Sequence, residues 1–269
     1  MNPRPTFPAR LAPLKGRSGL PEVAGASLRT ARIAVAPASD RLPMARMAGH
    51  SHGMDSSAVR GNMVKKLGGL GLLNPHVLHA MGIVERHRFV DSALVNQAYE
   101  DTSLPIGLGQ TISKPGVVAR MAELLCNRAP GKLGRVLEIG TGCGYQAAVL
   151  SFLASEVYSM ERLRGLHDRA RDNLRHLRLA NVHLLFGDGM AGYAKGAPYA
   201  AIIAAAAGDI VPKAWVDQLA MGGRLVAPVV PAGGASGQQA LMVIDRTPAG
   251  IVQTILEAVH FVPLKSGVA

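Results

Sequence analysis

The sequence predicts an α/β fold: a doubly wound, mostly parallel sheet with helices on both faces and an antiparallel hairpin at the C-terminal end. Three observations predict it. Short apolar runs alternate with segments of helical period from Val136 onward. A glycine-rich turn, Gly140-Thr141-Gly142-Cys143-Gly144, joins the first of these runs to a helical segment. Acidic residues close successive runs, at Glu138, Glu161 and Asp188. Strand–helix alternation of this kind gives parallel strands, and both faces of such a sheet need cover.

The elements follow in chain order. Val64, Leu67, Leu70 and Leu73 recur at threes and read as a helix, and 75–84 as a second, short one. Val117, Met121 and Leu124 share one face of a third. The runs 136–139, 156–160, 182–186, 200–204 and 224–227 read as buried strands. Between the second and third of these, Leu166, Ala170, Leu174 and Leu177 step by four, four and three, with arginines on the other face. Residues 213–220 follow Pro212, which suits a first helical turn. The runs 241–244 and 251–259 lie close together and form the expected hairpin.

Composition limits what the chain can be. Its 269 residues suffice for a full core, and with 48% apolar but only 4% aromatic residues, Ala, Val, Leu and Ile must fill it. No uncharged apolar run approaches the ~18 residues of a membrane span. Cys126 and Cys143 make no disulfide framework, so a reducing, cytoplasmic setting is expected. Of the net charge of +11, residues 1–60 supply +6, from nine Lys+Arg against three acids. The excess lies mainly outside the fold, against a role in holding nucleic acid. Residues 1–60, with seven prolines, read as a disordered extension, and 61–269 as the domain. His50, His52 and Met54 in the extension are copper-type donors, but without preformed geometry no metal is expected.

The turn and its acids carry the chemistry. Ligands of doubly wound sheets lie beyond the carboxyl ends of the strands, and glycines let the backbone approach them closely. The third glycine comes one position earlier than in the dinucleotide pattern, and Glu138 would repel a pyrophosphate. An acid there suits a cofactor bearing an ammonium or sulfonium charge. Glu161 follows Glu138 by 23 residues, near the ~20-residue offset at which a carboxylate takes ribose hydroxyls. Asp188, with Gly189 behind it, is placed to accept from an adenine amino group. The expected cofactor residues are thus Glu138, Gly140, Thr141, Gly142, Gly144, Tyr145, Glu161, Asp188 and Gly189. S-adenosylmethionine, leaving S-adenosylhomocysteine, fits them.

Four further blocks occur in order: Ala98-Tyr99-Glu100-Asp101, Leu104-Pro105-Ile106-Gly107, Gly109-Gln110-Thr111-Ile112-Ser113-Lys114-Pro115, and Glu257-Ala258-Val259-His260-Phe261-Val262-Pro263-Leu264. On these the chain resembles the protein-L-isoaspartate (D-aspartate) O-methyltransferases, Rossmann-like class I enzymes, from about Asn62 onward. The resemblance implies methylation of the free α-carboxylate of isoaspartyl residues in damaged proteins and peptides, the first step of their repair. It implies Ser113 as the active-site residue, with Gln110 and Thr111 beside it at the substrate; the alternative for Ser113 is to cap the helix that follows. The chain is expected to act as a monomer. One departure stands out: the family's Asp-Ala-Ile-Ile-Val-Thr-Ala-Ala-Pro reads here Ala200-Ala201-Ile202-Ile203-Ala204-Ala205-Ala206-Ala207-Gly208. An acid, a hydroxyl and a proline are missing, which keeps open a cofactor-binding homologue without activity. A nucleic-acid methyltransferase would place Asn/Asp-Pro-Pro-aromatic at this point to hold a flipped base, and 205–208 offers nothing comparable.

Overall fold

The computed structural model describes residues 56–127, 131–231 and 238–269. The His50 to Met54 donors, and all but the last five residues of the expected extension, lie outside the described residues.

Helix α1 spans Ser56–Gly69 and α2 spans Pro75–Ile83. Asn74 caps α2, its Oδ1 accepting from the N–H groups of His76 and Val77 at 3.1 and 3.3 Å. The helix α1 ends sooner than its leucine spacing suggests. Gly68 and Gly69 weaken it, Gly71 turns the chain at φ +91°, and Leu70 and Leu73 are left 70% and 80% exposed. Two 3-10 turns, Arg86–Phe89 and Ser92–Gln97, lead to an antiparallel pair, β1 (Leu104–Gly107) and β2 (Gln110–Ile112). Helix α3 then covers Pro115–Cys126. Lys114 at its N-cap makes no side-chain capping bond; instead Asp101, fifteen residues upstream, accepts from the Gly116 N–H at 2.6 Å. A carboxylate there satisfies an orphan donor and faces the positive end of the helix.

The remaining strands are β3 (Leu133–Ile139), β4 (Ala154–Glu161), β5 (Val182–Phe186), β6 (Tyr199–Ala204), β7 (Leu219–Val229), β8 (Gln239–Thr247) and β9 (Gly250–Val259). They form one sheet in the order β5-β4-β3-β6-β7-β8-β9. The first five are parallel; β8 and β9 run antiparallel, so the expected hairpin extends the sheet beyond β7. The helices α4 (Tyr145–Leu153), α5 (Arg164–Arg175) and α6 (Lys213–Gln218) connect them. The helix α6 is two residues shorter than its pattern because Leu219 and Ala220 already belong to β7.

Alternate residues of β3 feed two cores. Val136 packs with α1–α4 on one face, while Leu137 and Ile139 meet Trp215 of α6 on the other. Trp215 is buried, and its Nε1 donates to the Gly189 carbonyl at 2.7 Å. Arg86 is also fully buried: Nε donates to the Ala98 carbonyl at 2.7 Å, and its guanidinium lies 4.8 Å from the centre of the Tyr145 ring. Among the described residues no helix is long and apolar enough to cross a membrane.

Gly144, which opens α4, has φ +92°, and a Cβ there would lie 3.1 Å from Leu174 Cδ1 and 3.4 Å from Ala170 Cβ. Gly144→Ala therefore adds backbone strain to a clash with α5. Denaturant unfolding is expected to show a loss of about 1–3 kcal/mol; an unchanged midpoint would mean that α5 simply moves aside.

Candidate active site

The chain runs outward through β3, β4 and β5, then returns to β6 on the other side of β3. The carboxyl ends of β3 and β6 thus form the crevice where sheets of this type hold ligands. A cavity of about 250 Å³ lies there. Its floor is the glycine turn, with φ of 90°, 57° and 92° at Gly140, Gly142 and Gly144. The N–H groups of Gly140 and Thr141 both donate to the Met160 carbonyl, at 2.9 and 3.2 Å, which ties the turn to the end of β4.

Glu161 closes the same strand and lines the cavity. Its Oε2 accepts from the Gly142 N–H and its Oε1 from the Leu163 N–H, both at 2.9 Å. The carboxylate is fixed at both oxygens, yet each keeps acceptor capacity for a ligand hydroxyl. Glu138 lies beneath the turn, fully buried, in register with Ser159 of β4. Ser159 donates to Glu138 Oε2 and shares a 2.7 Å hydrogen bond with Thr141 Oγ1, which lines the cavity. The Gln146 side chain also lies against the Glu138 carboxyl, and like Ser159 it favours the ionised form. Burial pushes the Glu138 carboxyl up to about 8, and the Glu161 charge pushes the same way. Glu138 itself does not line the cavity.

The other expected residues divide. Gly140, Gly142, Tyr145 and Gly189 line the cavity, but Gly144 and Asp188 do not. Asp188 accepts from the Met190 N–H at 2.8 Å and from the Gly267 N–H at 2.7 Å, so both its oxygens are engaged in shaping the protein. Tyr145 turns its ring into the core, edge-on to Phe89, and its hydroxyl donates to Met81 Sδ at 3.6 Å. Burial pushes that hydroxyl up to about 12. Gln110, Thr111 and Ser113 bring the β1–β2 hairpin to the cavity. Ser113 does not cap α3, whose N-cap is Lys114, so its hydroxyl is not taken up in that role.

Two segments complete the walls. Residues 262–267 cross the carboxyl ends of the strands as a strap held mainly by backbone. Ala207 N–H donates to the Val262 carbonyl (2.8 Å), Leu264 N–H to the Ala207 carbonyl (2.7 Å), and Arg162 Nε to the Gly267 carbonyl (2.8 Å). Opposite, Arg169 donates to the Ile106 carbonyl at 2.7 Å, and Leu108, at φ +52°, rests against Gly165 of α5.

Residues 59–269 match the family described as protein-L-isoaspartate(D-aspartate) O-methyltransferase. The protein-L-isoaspartate O-methyltransferase of Methylibium petroleiphilum is 54% identical over 269 residues, covering 98% of this chain and 97% of that one. That of Leptothrix cholodnii is 60% identical over 218 residues, 80% of this chain and 76% of its own. The chain belongs to the protein-L-isoaspartate O-methyltransferase family. A solved protein-L-isoaspartate O-methyltransferase, 28% identical, superimposes with a TM-score of 0.69 over 78% of this chain and 67% of its own.

The Ala-rich departure from the family pattern lies in this site, with Ala205 and Ala206 on the cavity wall. What the segment contributes is main chain. Ala205 N–H donates to the Ile139 carbonyl at 2.8 Å, and Ala207 holds the strap. Gly208 stands where the family has proline, and its N–H, which proline lacks, donates to the Pro228 carbonyl at 3.4 Å. The strap, the hairpin tip and Arg162 are site features that sequence patterns did not single out. Their only signal was that two family blocks flank the hairpin tip and a third runs into the strap, while Arg162 lies in none of them. Among the described residues no group of three or more His, Cys, Asp or Glu is placed to hold a metal.

The Glu138 carboxyl sits above its ordinary 4.5, at about 8, so its contribution to stability is complete below 4.5 and is lost as pH rises through 8. Unfolding free energies of the ligand-free protein and of Glu138→Gln, measured from pH 5 to 8, are expected to diverge, the parent losing up to ~1.4 kcal/mol per pH unit relative to the variant. Parallel curves would mean that Glu138 is ionised throughout.

Proposed function

We propose that this chain transfers a methyl group from S-adenosylmethionine to the free α-carboxylate of L-isoaspartyl and D-aspartyl residues in damaged proteins and peptides. The observation that carries the reading is one cavity that joins the glycine turn and Glu161 to the Ser113 hairpin, in a chain of this family. When bound, the cofactor supplies an electrophilic methyl carbon on a sulfonium sulfur.

The chain's own residues have a modest task. An isoaspartyl carboxylate is ionised at neutral pH, so no strong general base is needed to prepare the nucleophile. Glu161 would take the ribose hydroxyls, and Glu138, when ionised, would add negative potential from beneath the turn to favour the positive charge of the donor. The backbone at Gly140, Gly142 and Gly189 lets the ligand lie close to the sheet, while Thr141, Gly144, Tyr145 and Asp188 hold the surrounding turns in shape. Ser113 donates its hydroxyl to one oxygen of the acceptor carboxylate and aims the other at the methyl carbon, with Gln110 and Thr111 ordering the hairpin around it. In-line placement is the main source of rate in such a transfer. The strap and the hairpin tip exclude water from the crevice. The methyl ester leaves the enzyme and cyclises unaided, the following backbone nitrogen displacing methanol to give a succinimide, which water can open to normal aspartate. The protein acts alone, as a cytoplasmic monomer on protein and peptide substrates, without nucleic acid, membrane or metal.

The test is methyl transfer from labelled S-adenosylmethionine to a matched pair of peptides, one isoaspartyl and one aspartyl. Base-labile label is expected in the isoaspartyl member alone. Ser113→Ala should lower kcat/KM about 10–100-fold while leaving cofactor affinity unchanged; Glu161→Gln should weaken cofactor binding about tenfold. A protein that binds the cofactor yet esterifies neither peptide would sink the reading.

A further inference from the structure

The acids of the site suit only one of the two reactants. Glu161 on the cavity wall and Glu138 beneath the turn favour a cationic donor, yet the acceptor is itself an anion and is repelled by both. We propose that Arg86 and Arg169 offset this repulsion: they are positioning residues whose charges, behind the wall on the acceptor side, make the site select an ionised carboxylate over a neutral group of the same shape. The proposal rests on the methyl-transfer reading above and adds to it what sets the choice of acceptor.

Three observations support it. The first is placement. Arg86 donates to the Ala98 carbonyl at 2.7 Å and to the Thr102 carbonyl at 3.4 Å, and Arg169 donates to the Ile106 carbonyl at 2.7 Å. Both therefore grip the backbone that leads into the hairpin of Ser113. The second is reach. Burial pushes the thiol of Cys143, on the cavity wall, up to about 11, and the charges of Arg86 and Arg169 both act against that rise. A potential that favours a thiolate at Cys143 favours any anion in the space beside it. The third is the lack of cancellation. Neither arginine forms an ion pair with a carboxylate among the described residues. Asp101, whose charge reaches Arg86, is exposed and already engaged with the Gly116 N–H. A buried guanidinium without a counter-ion is costly to fold, and the low dielectric around it carries its potential further than water would. The cations on the wall itself do less: Arg162 is committed to the Gly267 carbonyl, and water screens Lys265 on the exposed strap. Methylation removes the acceptor's charge, so the potential that holds the carboxylate does not hold the ester.

The experiment uses the full chain with S-adenosylhomocysteine bound, so that no sulfonium charge contributes. Binding of an isoaspartyl peptide is compared with that of the same peptide carrying a carboxamide in place of the free α-carboxylate. The parent is expected to bind the carboxylate about tenfold or more tighter. Arg86→Lys should keep most of that ratio, and Arg86→Gln should reduce it to less than about threefold. Arg169→Gln, at a half-buried position, should lower it about twofold to threefold. In turnover, Arg86→Gln should raise KM for the isoaspartyl peptide about tenfold with kcat within about twofold of the parent, because the carboxylate is already losing its charge in the transition state. A fault of shape alone would weaken carboxylate and carboxamide equally, and that result would overturn the proposal. So would a parent that binds the two alike, or glutamine variants that keep the parent ratio; if Arg86→Gln does not fold, Arg169→Gln decides. Absence of methyl transfer to the isoaspartyl peptide would instead overturn the reaction on which the proposal rests.

Discussion

The bond from the Gly142 N–H to the Glu161 carboxylate is the constraint from which the rest of the site follows. It fixes a turn whose glycines take backbone angles that other residues avoid, and so it fixes where α4 begins. Tyr145, the first residue of that helix, lies under the guanidinium of Arg86, and Arg86 in turn holds the Ala98 carbonyl. The segment that follows includes Asp101, which caps α3, and leads into the hairpin that brings Ser113 to the cavity. One carboxylate at the end of β4 is therefore connected, through packed and hydrogen-bonded groups, to a serine about fifty residues earlier in the chain. Cofactor side and acceptor side are parts of one framework.

Much of this framework was legible in the sequence, for reasons that differ by element. The strand β5 coincides with its apolar run to the residue, but as the edge strand it is half-buried throughout and not buried as the run suggests. The stripe of Leu166, Ala170 and Leu174 marks the buried face of α5, although Leu177 falls just past its end. The hairpin β1–β2 was not legible as strands, since four and three residues are too few for alternation to show. Leu70 and Leu73 kept helical spacing after the glycines had ended the helix, so their exposure was hidden by a pattern that continues past its own terminus.

The site shows the same division. Glu161 could be placed on the cavity from its distance to Glu138, because successive parallel strands deliver their ends to one rim. Asp188 reached the same rim by the same rule, yet its oxygens are occupied by Met190 and by Gly267, a residue 79 positions away that no local pattern connects to it. The strap was equally invisible for a related reason. It is held largely by peptide groups of Ala207, Val262 and Leu264, and peptide groups carry no residue-specific signature. That also accounts for the Ala-rich segment, whose side chains are reduced while its main-chain bonds to β3 and the strap are complete.

The placement of Trp215 has an optical consequence. It is the chain's single tryptophan, buried in the smaller core, with its indole N–H on the carbonyl of Gly189, and Gly189 lines the cavity. The protein thus contains one indole fluorophore, which can be excited apart from the five tyrosines, hydrogen-bonded to a residue of the cavity wall. Its emission reports the dryness of one defined location, so the same unlabelled signal follows both the unfolding of the sheet and events at the crevice above it.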